Sequence, residues 1–463
     1  MNRYKALAKN TAIFAVGTFG SKILSFIMVF FYSRAMQTAE FGTLDIIINS
    51  GSLMLPICML GIQNAIIRFG LDNEYKKDEV FSSGFVSVGL GLALLALASP
   101  LIMQLAELKQ YIFYLYAYVL MSSLRHICSY FVRAIGRPKL YAADGIFSTF
   151  MTCALTIIFL IPLKMGIRGY LLAIILADFS SIIFLSLKAR LYKYVNFGGF
   201  NVSLAKKMLA FSLPLIPTSL LWWVVNVSDR YFVQYMVSAS ANGLYSVAYK
   251  VPTILTLISV IFLDAWQISA VEENSSDTRN RFYSNIFTSF QGAIFILSSG
   301  LILFAKFITY ILLDSSYYPS WKFIPFLLLA TVYSCFVQFL GNIYLAEKRS
   351  VATLITTLIG AILNLILNFL LIPIWGPNGA AIATCISYFV VYAVRAVDIK
   401  LRNRDIKFAS PLVLLNSVIT LAQVILMILE PPYWIAYQIA FLLLLCAVNF
   451  KSMTEIVKKL IRK

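Results

Sequence analysis

About fourteen long apolar runs constrain the fold of this chain more than any other feature, because each is long enough to cross a bilayer as a helix. Of the 463 residues, 60% are hydrophobic and 13% charged, against about 25% charged residues in a soluble domain. A soluble, disordered or disulfide-rich secreted protein is therefore excluded, and we expect an all-α integral membrane protein. The predicted spans are 10–34, 42–66, 81–105, 110–132, 142–163, 166–187, 208–236, 242–267, 284–313, 322–346, 351–374, 378–400, 411–429 and 432–450.

The distribution of lysine and arginine between the runs predicts the orientation. The net charge is +18 from 38 Lys and Arg against 20 Asp and Glu, and most of the cations fall in alternate connections. The other connections carry only Lys109, Lys164, Arg168 and Lys322. Since cytoplasmic loops carry the excess of basic residues, both termini are predicted to be cytoplasmic, which requires an even number of spans. The basic segment 188–207 is predicted to be a linker on the anionic cytoplasmic leaflet.

Several features argue against other classes of protein. The six cysteines all lie in apolar runs without a CxxC pair, and His126 is the single histidine, so no metal site or disulfide is expected. The sequence has no P-loop and no long external loop with paired carboxylates. We therefore expect no enzyme activity, no cofactor and no nucleic-acid partner.

Internal similarity predicts a duplication. Arg34 precedes Pro56 by the same spacing as Arg230 precedes Pro252. The segment TIIFLIPLKMGIRGYLLA resembles LILNFLLIPIWGPNGAAIA, which aligns Ile161-Pro162 with Ile372-Pro373. We therefore predict two parallel-repeat six-helix lobes, 1–195 and 196–407, followed by two extra C-terminal helices and a basic tail in 408–463. Two such lobes would enclose the cleft that an alternating-access transporter requires.

Charged residues inside the runs are the candidate functional residues, because a charge at the bilayer centre is costly and usually faces a cavity. The cations are Lys22, Arg34, Arg125, Arg230, Lys250 and Lys306, and the acids include Asp45, Asp144, Asp178 and Asp229. Lys22 and Arg125 lie deepest. Arg34, Arg230 and Lys306 have the alternative of extending to the interface, and Asp229 that of pairing with Lys250. A cleft with an excess of cations would bind an anionic group such as a phosphate or pyrophosphate.

A polar stripe on the predicted span 351–374 has two interpretations. Thr353, Thr357, Gly360, Ala361, Asn364 and Asn368 follow helical spacing. They either pack against a neighbouring helix, with the amides as interhelical hydrogen bonds, or line the cleft.

The chain resembles the Wzx-type polysaccharide and oligosaccharide flippases of the MOP exporter superfamily, which also contains the multidrug MATE antiporters and the lipid II flippase. The similarity is carried by SLPLIPTSLLWWVVNVSDRYFVQYMVSASANGLYSVAYKVPTIL, by the opening NTAIFAVGTFGSKILSFIMVFFYSRAMQTAEFGTLD and by LNLILNFLLIPIWGPNGAAIAT. It covers nearly the whole chain and is weakest over the last two spans. The resemblance implies that Lys22, Arg34, Asp229, Arg230 and Lys250 bind substrate; Arg125 joins them from its depth and charge alone.

The resulting hypothesis is a flippase that moves an undecaprenyl-pyrophosphate-linked oligosaccharide from the cytoplasmic to the outer leaflet of a bacterial inner membrane. Asp45 and Asp144 are the candidates for coupling to an ion. Expected partners are the lipid-linked oligosaccharide, the bilayer, and polysaccharide polymerase or assembly proteins. The alternatives are a MATE-type drug or cation antiporter with a carboxylate-lined cavity, a polymerase or ligase, and a scaffold for glycan assembly.

Overall fold

The computed structural model describes residues 20–72, 74–97, 99–102, 106–196, 200–272, 279–347, 349–402, 408 and 411–461. Every regular element in these ranges is helical, so the predicted all-α class is confirmed. Twelve helices are long and apolar enough to cross a membrane, counted over the described residues. The predicted number of fourteen stays a prediction, because helix α1 is described only over 20–35 and α7 is not among the twelve.

Contacts within the chain divide it into two units, Met1–Trp223 and Val224–Lys463. The predicted lobe boundaries at 195 and 407 stay a prediction based on sequence similarity. The first unit contains α1 over 20–35 and α2 to α10, which are Thr38–Cys58, Ile62–Leu71, Lys77–Leu97, Ser99–Ile102, Ala106–Lys109, Ile112–Ala134, Pro138–Leu160, Gly166–Ala189 and Val202–Ser212. The boundary falls within α11, Ile216–Met236.

Over its described residues, the second unit contains nine further α-helices. Among them, α15 is a short helix of eight residues. The helices α12 to α20 are Ala239–Ala248, Lys250–Glu272, Arg279–Leu303, Ala305–Leu312, Ile324–Ala346, Ser350–Trp375, Pro377–Arg402, Pro411–Leu429 and Trp434–Ile461. An aromatic cluster forms part of its core: the Trp266 indole stacks on Phe339 with ring centroids 4.3 Å apart and donates its N–H to the Phe339 carbonyl.

The predicted continuous span 42–66 is two helices, α2 and α3. Pro56 lies inside the last turn of α2, and Leu60 and Gly61 adopt left-handed backbone angles with φ of 48° and 66°. A Cβ atom at Gly61 would lie 2.7 Å from the Ser212 carbonyl oxygen, so the turn also requires a residue without a side chain. The hydroxyl of Ser212 donates to the Leu60 carbonyl at 2.8 Å, which ties the break to the end of α10.

The described part of the basic segment 188–207 packs against helices of the first unit, which its prediction as a linker on the anionic leaflet did not include. Leu191 and Leu204 are buried in the core formed with α3 and α4. The Asn196 backbone N–H donates to Ser82 Oγ at 3.1 Å, and the Asn201 amide donates to Glu79 at 3.0 Å. These contacts hold α10 against the helices that precede it.

The two C-terminal helices are tied to α14 by buried amides. Asn416 donates to Gln291 Oε1 at 2.9 Å and exchanges 3.0 Å hydrogen bonds with Asn449. Gln423 donates to the Ser299 carbonyl at 3.1 Å, and Gln438 donates to the Gln423 carbonyl at 3.2 Å. An amide placed in apolar surroundings requires a partner, so these bonds fix how α19 and α20 dock on α14.

Candidate functional site

The Asp229-Arg230 pair is organised by two tyrosines of α12 and the turn after it. Asp229 is buried, and its carboxylate accepts hydrogen bonds from Tyr245 Oη at 2.8 Å, Tyr249 Oη at 2.5 Å and the Arg230 backbone N–H at 2.9 Å. The Arg230 guanidinium lies over the Tyr249 ring, 4.7 Å from its centroid. Because the same tyrosine contacts both charged residues, the cluster fixes the position of the half-buried arginine.

Lys250 and Lys22 occupy different environments. The break after α12 makes Lys250 the first residue of α13, where its side chain is half-buried. Lys22 lies near the start of the described part of α1 and is exposed. The described residues place no carboxylate within salt-bridge distance of Lys22. Lys22 is thus an exposed cation of the first unit, and its binding role stays a prediction.

Arg125 is held by two aspartates in the first unit. Its guanidinium donates to Asp144 at 3.3 Å and to Asp178 at 3.2 Å. Ser181 accepts a hydrogen bond from Arg125 Nε at 3.0 Å and donates to Asp144, while Ser122 donates to Asp178. The side chains of Asp144 and Asp178 are 1% and 7% exposed. The network has one basic and two acidic side chains, so ion pairs within the unit hold these side chains in place.

This network changes the interpretation of two predicted site residues. Arg125 was expected to bind substrate and Asp144 to couple an ion, and neither role is tested by these contacts. The structure gives each of them a partner in its own unit, and it adds Asp178 as a third member. Asp45, the other coupling candidate, is half-buried on α2, where its backbone carbonyl accepts a 2.8 Å hydrogen bond from Asn49.

Arg34 lies in a pocket at the end of α1. Its guanidinium lies 3.5 Å from the centroid of the Phe30 ring and donates to the Phe30 carbonyl at 2.9 Å. Lys164, in the turn between α8 and α9, and Glu40, in the first turn of α2, line the same pocket. Arg34 and Lys164 are both exposed, whereas Glu40 is half-buried.

The polar stripe of α17 is buried in the second unit, which favours the interpretation as helix packing over the lining of a cleft. Asn364 accepts from Ser228 at 3.2 Å and from Asn368 at 2.9 Å, and donates to Thr384 at 3.2 Å. Asn364 and Asn368 are both fully buried. These bonds join α11, α17 and α18.

Two cations have environments that sequence reasoning missed. Arg395, which lies within the predicted span 378–400 but was not among the candidate residues, is 1% exposed and donates to Thr356, Thr357 and the Val337 carbonyl. Its depth inside an apolar run was the available signal.

Lys306, expected to extend to the interface, forms an ion pair with Glu430. Its Nζ atom also lies 4.4 Å from the ring centroid of Trp321 and 4.1 Å from that of Trp434.

Comparison with known proteins adds a family and a fold. The sequence profile of the family described as "Polysaccharide biosynthesis protein" matches residues 7–267, more than half of the chain. A comparison of the sequence with curated proteins gives no match. The structure is similar to that of the lipid II flippase MurJ in an inward closed conformation, with a TM-score of 0.72 and 16% identity over 97% of this chain and 100% of that one.

A second similar structure is an inward-facing multidrug resistance MATE family transporter of the MOP superfamily. The TM-score is 0.70 with 14% identity, over 82% of this chain and 94% of that chain. At these identities the likeness establishes the fold alone, which is that of a multi-pass membrane transporter.

Proposed function

Because this chain belongs to the polysaccharide biosynthesis protein family, we propose that it is a flippase for an undecaprenyl-pyrophosphate-linked oligosaccharide. The head group would pass from the cytoplasmic to the outer leaflet of a bacterial inner membrane, with both termini of the chain in the cytoplasm. Polysaccharide polymerase or assembly proteins would then receive the product. The family and the similar structures support a flippase or transporter of the MOP type rather than an enzyme.

The observation that carries this proposal is an electrostatic asymmetry among the charged residues of the spans. Three buried acids, Asp144, Asp178 and Asp229, are held by donors of their own unit. In contrast, the cations Lys22 and Arg34 are exposed. These three acids are therefore not open to a cationic ligand, and exposed Lys22 and half-buried Arg230 are candidates to meet an anionic one.

Cations of this kind suit a pyrophosphate. Arginine binds phosphate oxygens through two parallel N–H donors, and lysine adds a point charge on a flexible stem. Arg230, oriented by Tyr249, would provide the fixed fork, and Lys22 and Lys250 would provide the adaptable charges. The polyprenyl tail would stay in the bilayer. We propose that the head group passes through an alternating-access cavity. This cavity is inferred from the duplication that the sequence predicts.

The rival function is a MATE-type antiporter of organic cations. It shares the fold, since the multidrug transporter gives nearly the same TM-score as the flippase. It would need carboxylates open to a cationic drug. The engagement of Asp144, Asp178 and Asp229 by internal donors therefore favours the flippase.

The proposal is tested by reconstituting the purified chain in liposomes that contain a fluorescent undecaprenyl-pyrophosphate oligosaccharide. We expect transfer between leaflets with the wild type and a loss of at least about tenfold with Arg230→Gln, since one charge-assisted phosphate contact contributes about 1.5–3 kcal/mol. Arg168→Gln is the matched control, because Arg168 is an exposed arginine in the first turn of α9. Equal transfer by wild-type protein and Arg230→Gln would discard the site, and no transfer by any form would discard the flippase.

A further inference from the structure

Arg34 lies in a pocket of the first unit whose other lining residues have no part in the proposed transport. The pocket lies where α1 ends and where the turn between α8 and α9 begins, and its volume is about 650 Å³. That volume is within the range of about 300–1,000 Å³ for small-molecule sites. The lining combines apolar and aromatic walls with three charged side chains: Phe30, Phe31, Arg34, Ala35, Glu40, Leu160, Ile161, Lys164 and Gly166.

The charged groups of the pocket are held in place locally. Stacking on Phe30 and the hydrogen bond to its carbonyl fix the Arg34 guanidinium at the wall. Glu40 accepts a 3.0 Å hydrogen bond from the Gln37 backbone N–H, as part of the capping box that begins α2. Lys164 lies in a tight turn with φ of 50°, which is closed by the 2.9 Å hydrogen bond from the Met165 N–H to the Phe159 carbonyl.

The charge balance identifies the kind of ligand. Two cations and one carboxylate give the pocket a formal charge of about +1, which one phosphate diester would neutralise. A pyrophosphate carries at least two negative charges and would leave the pocket with an excess of negative charge beside Glu40. The walls formed by Phe31, Leu160 and Ile161 are apolar, which suits a ligand that continues into an apolar chain.

The position of the pocket agrees with this chemistry. The end of α1 and the turn at 161–165 fall at the predicted outer boundary of the spans, where phospholipid head groups lie. We propose that this pocket binds the phosphate diester of a membrane phospholipid, with Arg34 and Lys164 on the phosphate oxygens and the acyl chain against Phe31 and Leu160. The bound lipid would join the end of α1 to the turn between α8 and α9. This site does not depend on what the chain transports.

The test is a titration of the purified full chain with phosphatidylglycerol, followed by native mass spectrometry in detergent. The comparison ligand is diacylglycerol with the same acyl chains, which lacks the phosphate. We expect phosphatidylglycerol to bind at least about tenfold more tightly than diacylglycerol, and Lys164→Gln to weaken its binding about five- to tenfold, where tenfold corresponds to about 1.4 kcal/mol. Lys164 is exposed on a turn, so this substitution leaves the helices intact.

Two further variants make the result specific. Ala35→Phe fills the pocket without changing its charge and should weaken the binding of phosphatidylglycerol to a similar extent. Lys109→Gln removes an exposed lysine outside the lining and should change binding less than twofold. The proposal is overturned if Lys164→Gln and Ala35→Phe both bind phosphatidylglycerol like the wild type. It is also overturned if diacylglycerol binds equally well, or if polyprenyl pyrophosphate displaces the phospholipid at a lower concentration than phosphatidylglycerol itself does.

Discussion

The two units stabilise their buried polar groups in different ways. In the first unit, Arg125 bridges the buried carboxylates of Asp144 and Asp178, so the polar core is ionic. In the second unit, Asn364 and Asn416 form hydrogen bonds with other amides and hydroxyls, so much of the polar core is neutral. Removing one partner from a buried ionic network leaves an uncompensated charge, whereas removing one neutral amide leaves only a weaker hydrogen-bonding group without a partner. The first unit should therefore be the more sensitive to single substitutions.

The largest effect is expected for Arg125→Met. It leaves Asp144 and Asp178 buried without their cation, which should lower stability by about 3–5 kcal/mol. The midpoint of thermal unfolding in detergent, followed by size-exclusion chromatography, measures this loss. The triple variant Arg125→Met with Asp144→Asn and Asp178→Asn should recover much of it, because the unpaired charges are removed. If the single variant unfolds at the wild-type temperature, the ionic core of the first unit has no structural role.

A smaller effect is expected for Arg395→Met in the second unit. The variant removes the buried charge together with its donors, and leaves the hydroxyls of Thr356 and Thr357 and the Val337 carbonyl without this partner. The cost should be about 1–3 kcal/mol, below that of Arg125→Met. The same unfolding assay orders the two variants, with Lys400→Met as an exposed control on α18. A loss larger than that of Arg125→Met would reverse the comparison between the units.

The smallest effect is expected for Asn416→Leu. Hydrogen bonds between membrane helices contribute on average about 0.6 kcal/mol and at most about 1.7 kcal/mol. Gln291 and Asn449 remain in contact at 3.4 Å, so they retain a partner when Asn416 is lost. The unfolding midpoint should therefore fall only slightly. Release of α19 and α20, detected as new protease cleavage near residue 411, would show that the hydrogen bonds of Asn416 contribute more than about 1.7 kcal/mol to stability.

Sequence reasoning predicted helices best where an apolar run ends at a residue that stops a helix. The span predicted at 411–429 is Pro411–Leu429, and that at 378–400 is Pro377–Arg402. Breaks inside a run were missed. The run at 242–267 continues through Tyr249, yet α12 ends at Ala248 and α13 begins at Lys250. Hydropathy does not record such a break, because apolar residues lie on both sides of it.

The residues of the candidate site stay a prediction, and their pairings could not be read from the sequence. The depth of Arg125 marked it as unusual, but its partner Asp178 lies on a separate helix, and only the tertiary structure brings the two together. Likewise, Tyr245 and Tyr249 were present in the motif that carries the family resemblance, without an assigned role. The structure shows that both donate to Asp229. The sequence spacing of an aromatic residue does not reveal which acid its hydroxyl meets.

The central claim is that the buried acids Asp144, Asp178 and Asp229 are engaged internally and that Lys22, Arg230 and Lys250 bind an anionic substrate. It is tested most directly by placing two substrates in the same reconstituted liposomes, a fluorescent undecaprenyl-pyrophosphate oligosaccharide and a lipophilic organic cation such as ethidium. The account predicts that the chain transfers the lipid-linked oligosaccharide between leaflets, and that ethidium moves no faster than in protein-free liposomes. Protein-dependent transport of ethidium without transfer of the oligosaccharide lipid would contradict it and establish the cation antiporter instead.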